Sequence, residues 1–396
     1  MPYSNFLTWM KNLGEYVDAQ KRTNNVFDFS GSAVAEPADL LHALFKGDEF
    51  QRWLKPSRSG GRFDEKSSWI HPRLKPAILG KYRIHDNNMD VLATTGASLA
   101  MFMVCRALLN CGDGVVIERP TYEPFCAAVH AARAQMKFLT RRPPAYEIDF
   151  ERLRRPLSHS RGGAKLLILS NLYNPGGTLL DKATLSHLAE VASKFKIWVV
   201  FDEVFRDLAP DTAKLQRGDS SSLPAPAACF DQRFISISSL SKAYGLSILR
   251  CGWVLGDRRA INAIRATQVE VENSGSRLTQ ALASLVLEQL EEHRDRSLKL
   301  LRRNRNIVQA SFQSLRDEGL VAGGVPEFST IYFPRIQAFA DIDGFVKSLA
   351  NKRRVFVVPG RFFKSPRHIR IGFGSFLNTR EISTGLEILC EEIRKG

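Results

Sequence analysis

The stretch Ser239-Leu240-Ser241-Lys242-Ala243-Tyr244, running on to Arg250-Cys251-Gly252-Trp253, sets one lysine in a hydroxyl-rich turn with an arginine eight positions later. Phe234 to Ser238 is short, alternating and β-branched, which predicts a strand, and Cys251 to Gly256 predicts another. A lysine held deprotonated between them forms a Schiff base with a carbonyl compound. The hydroxyls and the arginine suit a phosphate, the arginine by a bidentate grip. A surface lysine beside a Ser-rich turn accounts for the same residues, so the choice rests on the chain around it.

Upstream, Ile197-Trp198-Val199-Val200-Phe201 runs almost unbroken into Asp202-Glu203. A carboxylate at the end of a buried strand costs several kcal/mol unless a cation faces it. A protonated ring nitrogen would serve, and so would a nearby arginine. Lys165 to Leu169 is a continuous apolar run, as in a parallel sheet covered on both faces. It leads into Ser170-Asn171-Leu172-Tyr173-Asn174-Pro175-Gly176-Gly177, whose turn residues account for most of that composition. Asn174 can also donate to a ring oxygen. Gly114 to Arg119 is the next strand, closed by Pro120-Thr121-Tyr122 before a helix at Glu123. Ligands of open α/β sheets bind at such strand ends, where an aromatic can stack on a flat ring. A core tyrosine with a satisfied hydroxyl fits equally. Asp90 to Thr94 is a short strand, and Thr95-Gly96-Ala97-Ser98 turns into an apolar helix over Leu99 to Leu109. Small residues opening a helix cradle an anion. Ser98 as an ordinary N-cap is the plainer alternative. Helices are expected over residues 5–20, Leu74 to Tyr82 and Asp181 to Phe195, with a polar Gly/Ser/Arg loop at 55–62.

Downstream, helices are expected over Arg258 to Val271, Leu278 to His293 and Asp295 to Leu315, the last heavily basic and read as a solvated face. Strands follow at Thr330 to Pro334, Val355 to Gly360 and His368 to Phe373. In the last, Arg370 alternates with Ile369 and Ile371. An arginine held there suits a carboxylate, or else a cross-strand ion pair.

A chain of 396 residues accommodates two domains, and 44% hydrophobic residues suffice for a large core, so the chain is not mainly disordered. Six scattered cysteines form no C-x-x-C pair, which argues against a disulfide framework or a zinc site and for a reducing compartment. No metal is expected. Met1 to Lys11 lacks a signal-peptide pattern, and no apolar run reaches membrane-spanning length. The charge of +15 is spread along the chain without an aromatic-interleaved basic motif, so no nucleic-acid partner is expected.

Taken as a set and in order, Thr-Gly-Ala-Ser, Pro-Thr-Tyr, Asn-x-x-Asn-Pro-x-Gly, Asp-Glu-Val, Ser-x-Ser-Lys with its arginine, and Ile-Arg-Ile-Gly resemble the class I/II aminotransferases. These are the fold-type I enzymes that use pyridoxal 5′-phosphate. The resemblance runs from about Val26 to the C-terminus. It implies an α/β fold with a mostly parallel seven-stranded sheet sandwiched by helices and a smaller α/β domain. The division expected is 1–70 and 286–396 for the small domain and 71–285 for the large one. It implies Lys242 as the catalytic lysine that links the cofactor and moves the α-carbon proton. Asp202 would pair with the ring nitrogen, Asn174 with the ring oxygen, and Tyr122 would stack on the ring. Ala97, Ser98, Ser239, Ser241 and Arg250 would hold the phosphate. Arg370, with Asn174 and Gly31, would bind the substrate. The partners implied are an amino acid, a 2-oxo acid and a second copy of the chain in a cytoplasmic homodimer with active sites at the interface.

Phe205 stands where the family usually has a tyrosine that donates to the ring oxygen, so the lysine-linked cofactor should keep its proton to higher pH. The interval from Arg62 to Ser68 lacks the family's usual tyrosine, and Gly176 and Ile248 replace a threonine and a glycine. The stretch from Ser239 to Leu246, Phe205 and the run from Val357 to Phe363 are also similar to capreomycidine synthases, which use the same chemistry for elimination and cyclisation of a hydroxylated arginine. Transamination is therefore expected first, and elimination, replacement or cyclisation second. A non-enzymatic sensor or nucleic-acid binder comes third, since Lys242 is intact and no DNA-binding domain precedes the fold.

Overall fold

Apolar runs bounded by turn residues fold as seven strands, β1 (Met89–Thr94), β2 (Gly114–Arg119), β3 (Gln135–Thr140), β4 (Ala164–Ser170), β5 (Trp198–Asp202), β6 (Phe234–Ser239) and β7 (Gly252–Asp257). The structure is a computed structural model that describes residues 5–21, 26–48, 50–51, 70–158, 163–210 and 223–396. The predicted loop at 55–62 and the Arg62 to Ser68 interval lie outside them. The sheet order is β1-β7-β6-β5-β4-β2-β3. Only β7 runs antiparallel to its neighbours.

Both faces of this sheet are covered at its centre, which explains the continuous apolar runs within β2, β4 and β5. Val115, Ile117, Ile168 and Val254 pack against helices Ala97–Leu108, Glu123–Ala131 and Arg258–Val271. The alternate residues Val116, Leu167, Leu169 and Phe201 face Phe150–Leu157 and Lys182–Phe195. Because the strands are parallel, Thr94, Arg119, Ser170, Asp202 and Ser239 all end at one edge, with Ser170 registered to Asp202. Brief strands form a second unit. Ile331–Tyr332, Ile369–Gly372 and Val358–Pro359 pair antiparallel, and Phe27–Asp28 pairs with Val355–Phe356. No described helix is long and apolar enough to cross a membrane.

Three expectations are corrected. Helix 97–108 starts two residues before Leu99, and its N-cap is Gly96, so Ser98 lies in the first turn and is not the cap. The predicted boundary between His293 and Asp295 falls instead at Gln289, between Arg277–Glu288 and Leu290–Ser311, with a short helix Gln313–Asp317 after it. A new buried stripe begins there: Leu290, His293, Arg294, Ser297, Leu301, Asn304 and Val308 follow at helical spacing. Nor is this helix a solvated face. Arg294 donates to the Asp207 and Ala209 carbonyls, Arg296 to Ala35 and Glu36, Arg303 to Phe376 and Arg305 to Pro326. Asn304, fully buried, donates to the carbonyls of Phe373 and Phe376. The Arg294 guanidinium thereby satisfies carbonyls of the buried residues Asp207 and Ala209, which would otherwise lack those donors.

Candidate active site

At the common edge of the strands lies a cavity of about 230 Å³. Its lining includes Ala97, Ser98, Tyr122, Asp202, Ser239, Ser241, Lys242 and Arg250, brought from four separate strand ends. Asn174, Arg370 and Gly31 do not line it. Arg370 is electrostatically coupled to Lys242 and Tyr122, and Asn174 sits in the loop leaving β4 at the same edge.

The phosphate end follows from local geometry. Gly96 has φ 90° and ψ 165°, a conformation that is essentially glycine's alone. A Cβ at Gly96 would lie 2.6 Å from Arg250 Nη2, so the bare turn lets the guanidinium close over the start of helix 97–108. The free N–H groups of that first turn and the arginine thus converge with Ser98, Ser239 and Ser241 on one space. The Ser241 N–H donates to Ser239 Oγ at 3.3 Å.

Lys242 is half-buried, and its amine donates to Ser32 Oγ at 3.0 Å. Burial, then the charges of Arg370 and Arg250, lowers its pKa from 10.5 to about 8, against the opposing pull of Asp202. At neutral pH roughly a tenth of the amine is then uncharged, against about one part in 3,000 for a lysine in water. Asp202 moves the other way, up to about 7. Burial dominates, the Val204 N–H and Lys242 work against it, and Glu118 and Glu203 add to it. Its carboxylate accepts from Val204 N at 3.1 Å, and no arginine offsets its charge among the described residues. It is a half-buried acid in want of a cation.

Neighbouring networks fix these positions. Glu118, at the end of β2, accepts from both Ser170 N and Ser170 Oγ and pairs with Arg141 at 2.8 Å, all fully buried. Arg141 stacks on Tyr173, whose hydroxyl donates to the Pro120 carbonyl at 2.7 Å. That knot ties the turn carrying Tyr122 to the loop carrying Asn174. Behind Lys242, Asp207 accepts from Lys81 at 2.5 Å and Tyr244 at 2.9 Å, with both ends of the ion pair buried.

Arg370 is buried, donates to the Ser30 carbonyl and lies over the Phe363 ring. Its register partner is Val358, so it makes no cross-strand ion pair. Burial lowers its pKa to about 10, which leaves it charged at neutral pH. Its Nε, like Asn174 Oδ1, is buried without a hydrogen-bond partner. Arg361, an exposed arginine in sequence terms, pairs with Asp343 at 2.9 Å. Ser32 escaped the sequence reading altogether, because nothing local in Ser30-Gly31-Ser32 marks a contact 210 positions away.

The residues present fit pyridoxal phosphate: a phosphate cradle, a half-buried acid without an ion-pair partner among the described residues for a ring cation, and a lysine amine of lowered pKa, all lining one cavity. Comparison with known proteins agrees. The family model described as aminotransferase class I and II matches residues 45–389. Capreomycidine synthase of Streptomyces vinaceus is 28% identical over 86% of this chain and 85% of its own length. The aromatic aminotransferase ISS1 of Arabidopsis thaliana is 24% identical over 82% and 79%. A crystal structure of a PLP-dependent aminotransferase from Streptococcus suis superposes with a TM-score of 0.78 over 96% of this chain and 97% of that one, at 23% identity, which establishes the fold.

Proposed function

The chain belongs to the class I and II aminotransferases, and from that premise we propose that it transfers the amino group of an α-amino acid to a 2-oxo acid with pyridoxal 5′-phosphate held in the cavity. The observation that carries this is the opposed pair in one cavity, Lys242 pushed down to about 8 and Asp202 pushed up to about 7. Bound there, the cofactor supplies an aldehyde carbon for amino groups and a ring that accepts the electron pair left on the α-carbon. Ala97, Ser98, Ser239, Ser241 and Arg250 hold its phosphate. Asp202 keeps the proton on the ring nitrogen, and that new cation in turn keeps Asp202 ionised. Tyr122, in the lining, would face the ring, and Asn174, in the loop at the same edge with its Oδ1 unpartnered, would be its hydrogen-bond partner at the ring oxygen. Arg370 takes the substrate carboxylate, beside Gly31, and so orients the α-carbon bond to be broken. Lys242, as the free amine, removes the α-proton and returns it one position over.

A homodimer with its active sites at the interface suits the exposed apolar residues Ile248, Val269, Val271 and Leu278, of which Ile248 lies two positions from Arg250. A small domain built from 1–70 and 286–396 around a large domain at 71–285, and a cytoplasmic location, complete the proposal.

Phe205 favours a second reading. It is buried and has no hydroxyl to offer the ring oxygen, and the 28% identity to capreomycidine synthase spans most of both chains. On that reading the same α-proton removal leads to elimination or cyclisation of a hydroxylated amino acid. Borohydride reduction of the loaded protein followed by peptide mapping tests the shared core. The cofactor is expected on the peptide containing Lys242, and its attachment elsewhere would overturn both readings.

A further inference from the structure

The segment Asp28 to Ser32 reaches both working ends of the site. Its Ser30 carbonyl accepts from Arg370 Nη2, and its Ser32 hydroxyl meets Lys242 Nζ at 3.0 Å. The segment itself is immobilised. Asp28 Oδ1 accepts from Ser30 N at 2.9 Å and from Ser30 Oγ at 2.6 Å. Thr330 Oγ1, fully buried, donates to the Ser32 carbonyl at 2.6 Å. Val34 N donates to the Lys242 carbonyl at 3.0 Å, and Ala35 N to the Gly374 carbonyl at 2.9 Å. Gly372 packs so closely that a Cβ there would meet the Gly31 carbonyl at 1.5 Å. Ser32 is 8% exposed, so water does not compete freely for its hydroxyl.

We propose that the Ser32 hydroxyl is a positioning residue for the reaction. It holds the released Lys242 amine so that its lone pair addresses the α-carbon, at a spacing from the Arg370 clamp set by the rigid Ser30–Ser32 segment. The inference rests on the function proposed above. The neutral amine has two N–H bonds and one lone pair. With one N–H given to Ser32 Oγ, rotation about the Cε–Nζ bond is restricted and the lone pair is aimed. When the lone pair takes the α-proton, a new N–H forms, the C–H bond breaks, and its electron pair stays with the substrate carbon. Ser32 keeps its own proton throughout. Its hydrogen bond to nitrogen becomes charge-assisted at that moment and roughly doubles in strength, so it favours the transition state over the ground state.

The loss expected in Ser32→Ala is therefore about tenfold in kcat with KM for the amino acid unchanged. The primary isotope effect with the α-deuterated amino acid should rise as proton removal becomes rate-limiting. Ser32→Thr, which keeps the hydroxyl, should restore most of the rate. Ser32→Cys, similar in size but a weak acceptor, should behave as Ala and carries the test if the Ala variant fails to fold. A readout independent of turnover uses apoprotein. The rate at which pyridoxal phosphate is taken up, followed by its visible band, should fall in the Ala and Cys variants and recover in Thr. Affinity for pyridoxine 5′-phosphate, which has no aldehyde, should not change. Ala and Cys variants with the isotope effect and uptake rate of the parent protein would overturn the role of Ser32 alone. Loss of pyridoxine 5′-phosphate affinity in step with the rate would overturn it too, by showing general damage. A parent protein that never takes up pyridoxal phosphate would instead overturn the functional reading on which the role depends.

Discussion

Replacing Gly96 by alanine should weaken cofactor binding roughly 10- to 100-fold while leaving the fold intact. Two effects follow from the geometry of the turn. The backbone at φ 90° and ψ 165° is nearly closed to any residue with a side chain, which costs about 1–3 kcal/mol of stability. The new Cβ would stand 2.6 Å from Arg250 Nη2, where ordinary contact begins near 3.4 Å, so the guanidinium must retreat by about 0.8 Å. That retreat is easy for a flexible side chain, but it moves the end that grips the phosphate. Loss of one charge-assisted hydrogen bond of about 1.5–3 kcal/mol gives the stated factor. The assay is titration of apoprotein with pyridoxal phosphate, followed by absorbance, on the parent protein, Gly96→Ala, Arg250→Ala and the double variant. If the Cβ acts through Arg250, alanine at 96 should cost little further affinity once Arg250 is gone. Parent-like affinity in Gly96→Ala, or full additivity in the double variant, would refute the cradle as described.

Other consequences are equally concrete. Arg370→Gln should raise KM for the amino acid and cut kcat/KM by roughly 10²- to 10³-fold while the visible band of the loaded protein is unchanged; a variant with normal KM would remove Arg370 from substrate binding. Cofactor uptake by apoprotein should accelerate with pH through about 8 and level off above it, because the lowered pKa of Lys242 frees its amine there; a rate still climbing past pH 10 would show an ordinary surface lysine. Asn304→Ala removes two buried bonds to the Phe373 and Phe376 carbonyls and should cost about 2–4 kcal/mol in urea unfolding; an unchanged midpoint would contradict the structural role given to that helix.

What was legible in the sequence was what local chemistry dictates. The apolar run from Lys165 to Leu169 predicts a strand of a parallel sheet covered on both faces, and β4 is that strand, with the run from Ile197 to Asp202 beside it as β5. The lysine turn, the Pro-Thr-Tyr turn and Thr-Gly-Ala-Ser lie at strand ends, so their meeting at one edge follows once the strands are parallel. What stayed hidden was non-local. Arg296, Arg303 and Arg305 look in sequence like any solvated helix face, since a guanidinium bound to a loop carbonyl and one bound to water carry the same letter. The helix break at Gln289 has no glycine or proline to announce it, only a change in which residues are buried. Ser98 was a plausible cap, but Gly96 took the position because its unusual backbone admits Arg250. Ser32 reaches Lys242 only because the segment after Phe29 is threaded between the lysine turn and the strand bearing Arg370.

The most direct measurement is a single half-reaction. The purified, cofactor-loaded protein is mixed with a panel of amino acids, basic and β-hydroxylated ones included, with no 2-oxo acid present, and the absorption spectrum is followed. Loss of the visible band together with pyridoxamine phosphate and one equivalent of 2-oxo acid is the result this account predicts. Repeated turnover with the visible band restored, and release of ammonia or a cyclised product in place of the oxo acid, would contradict transamination and assign the site to elimination or cyclisation.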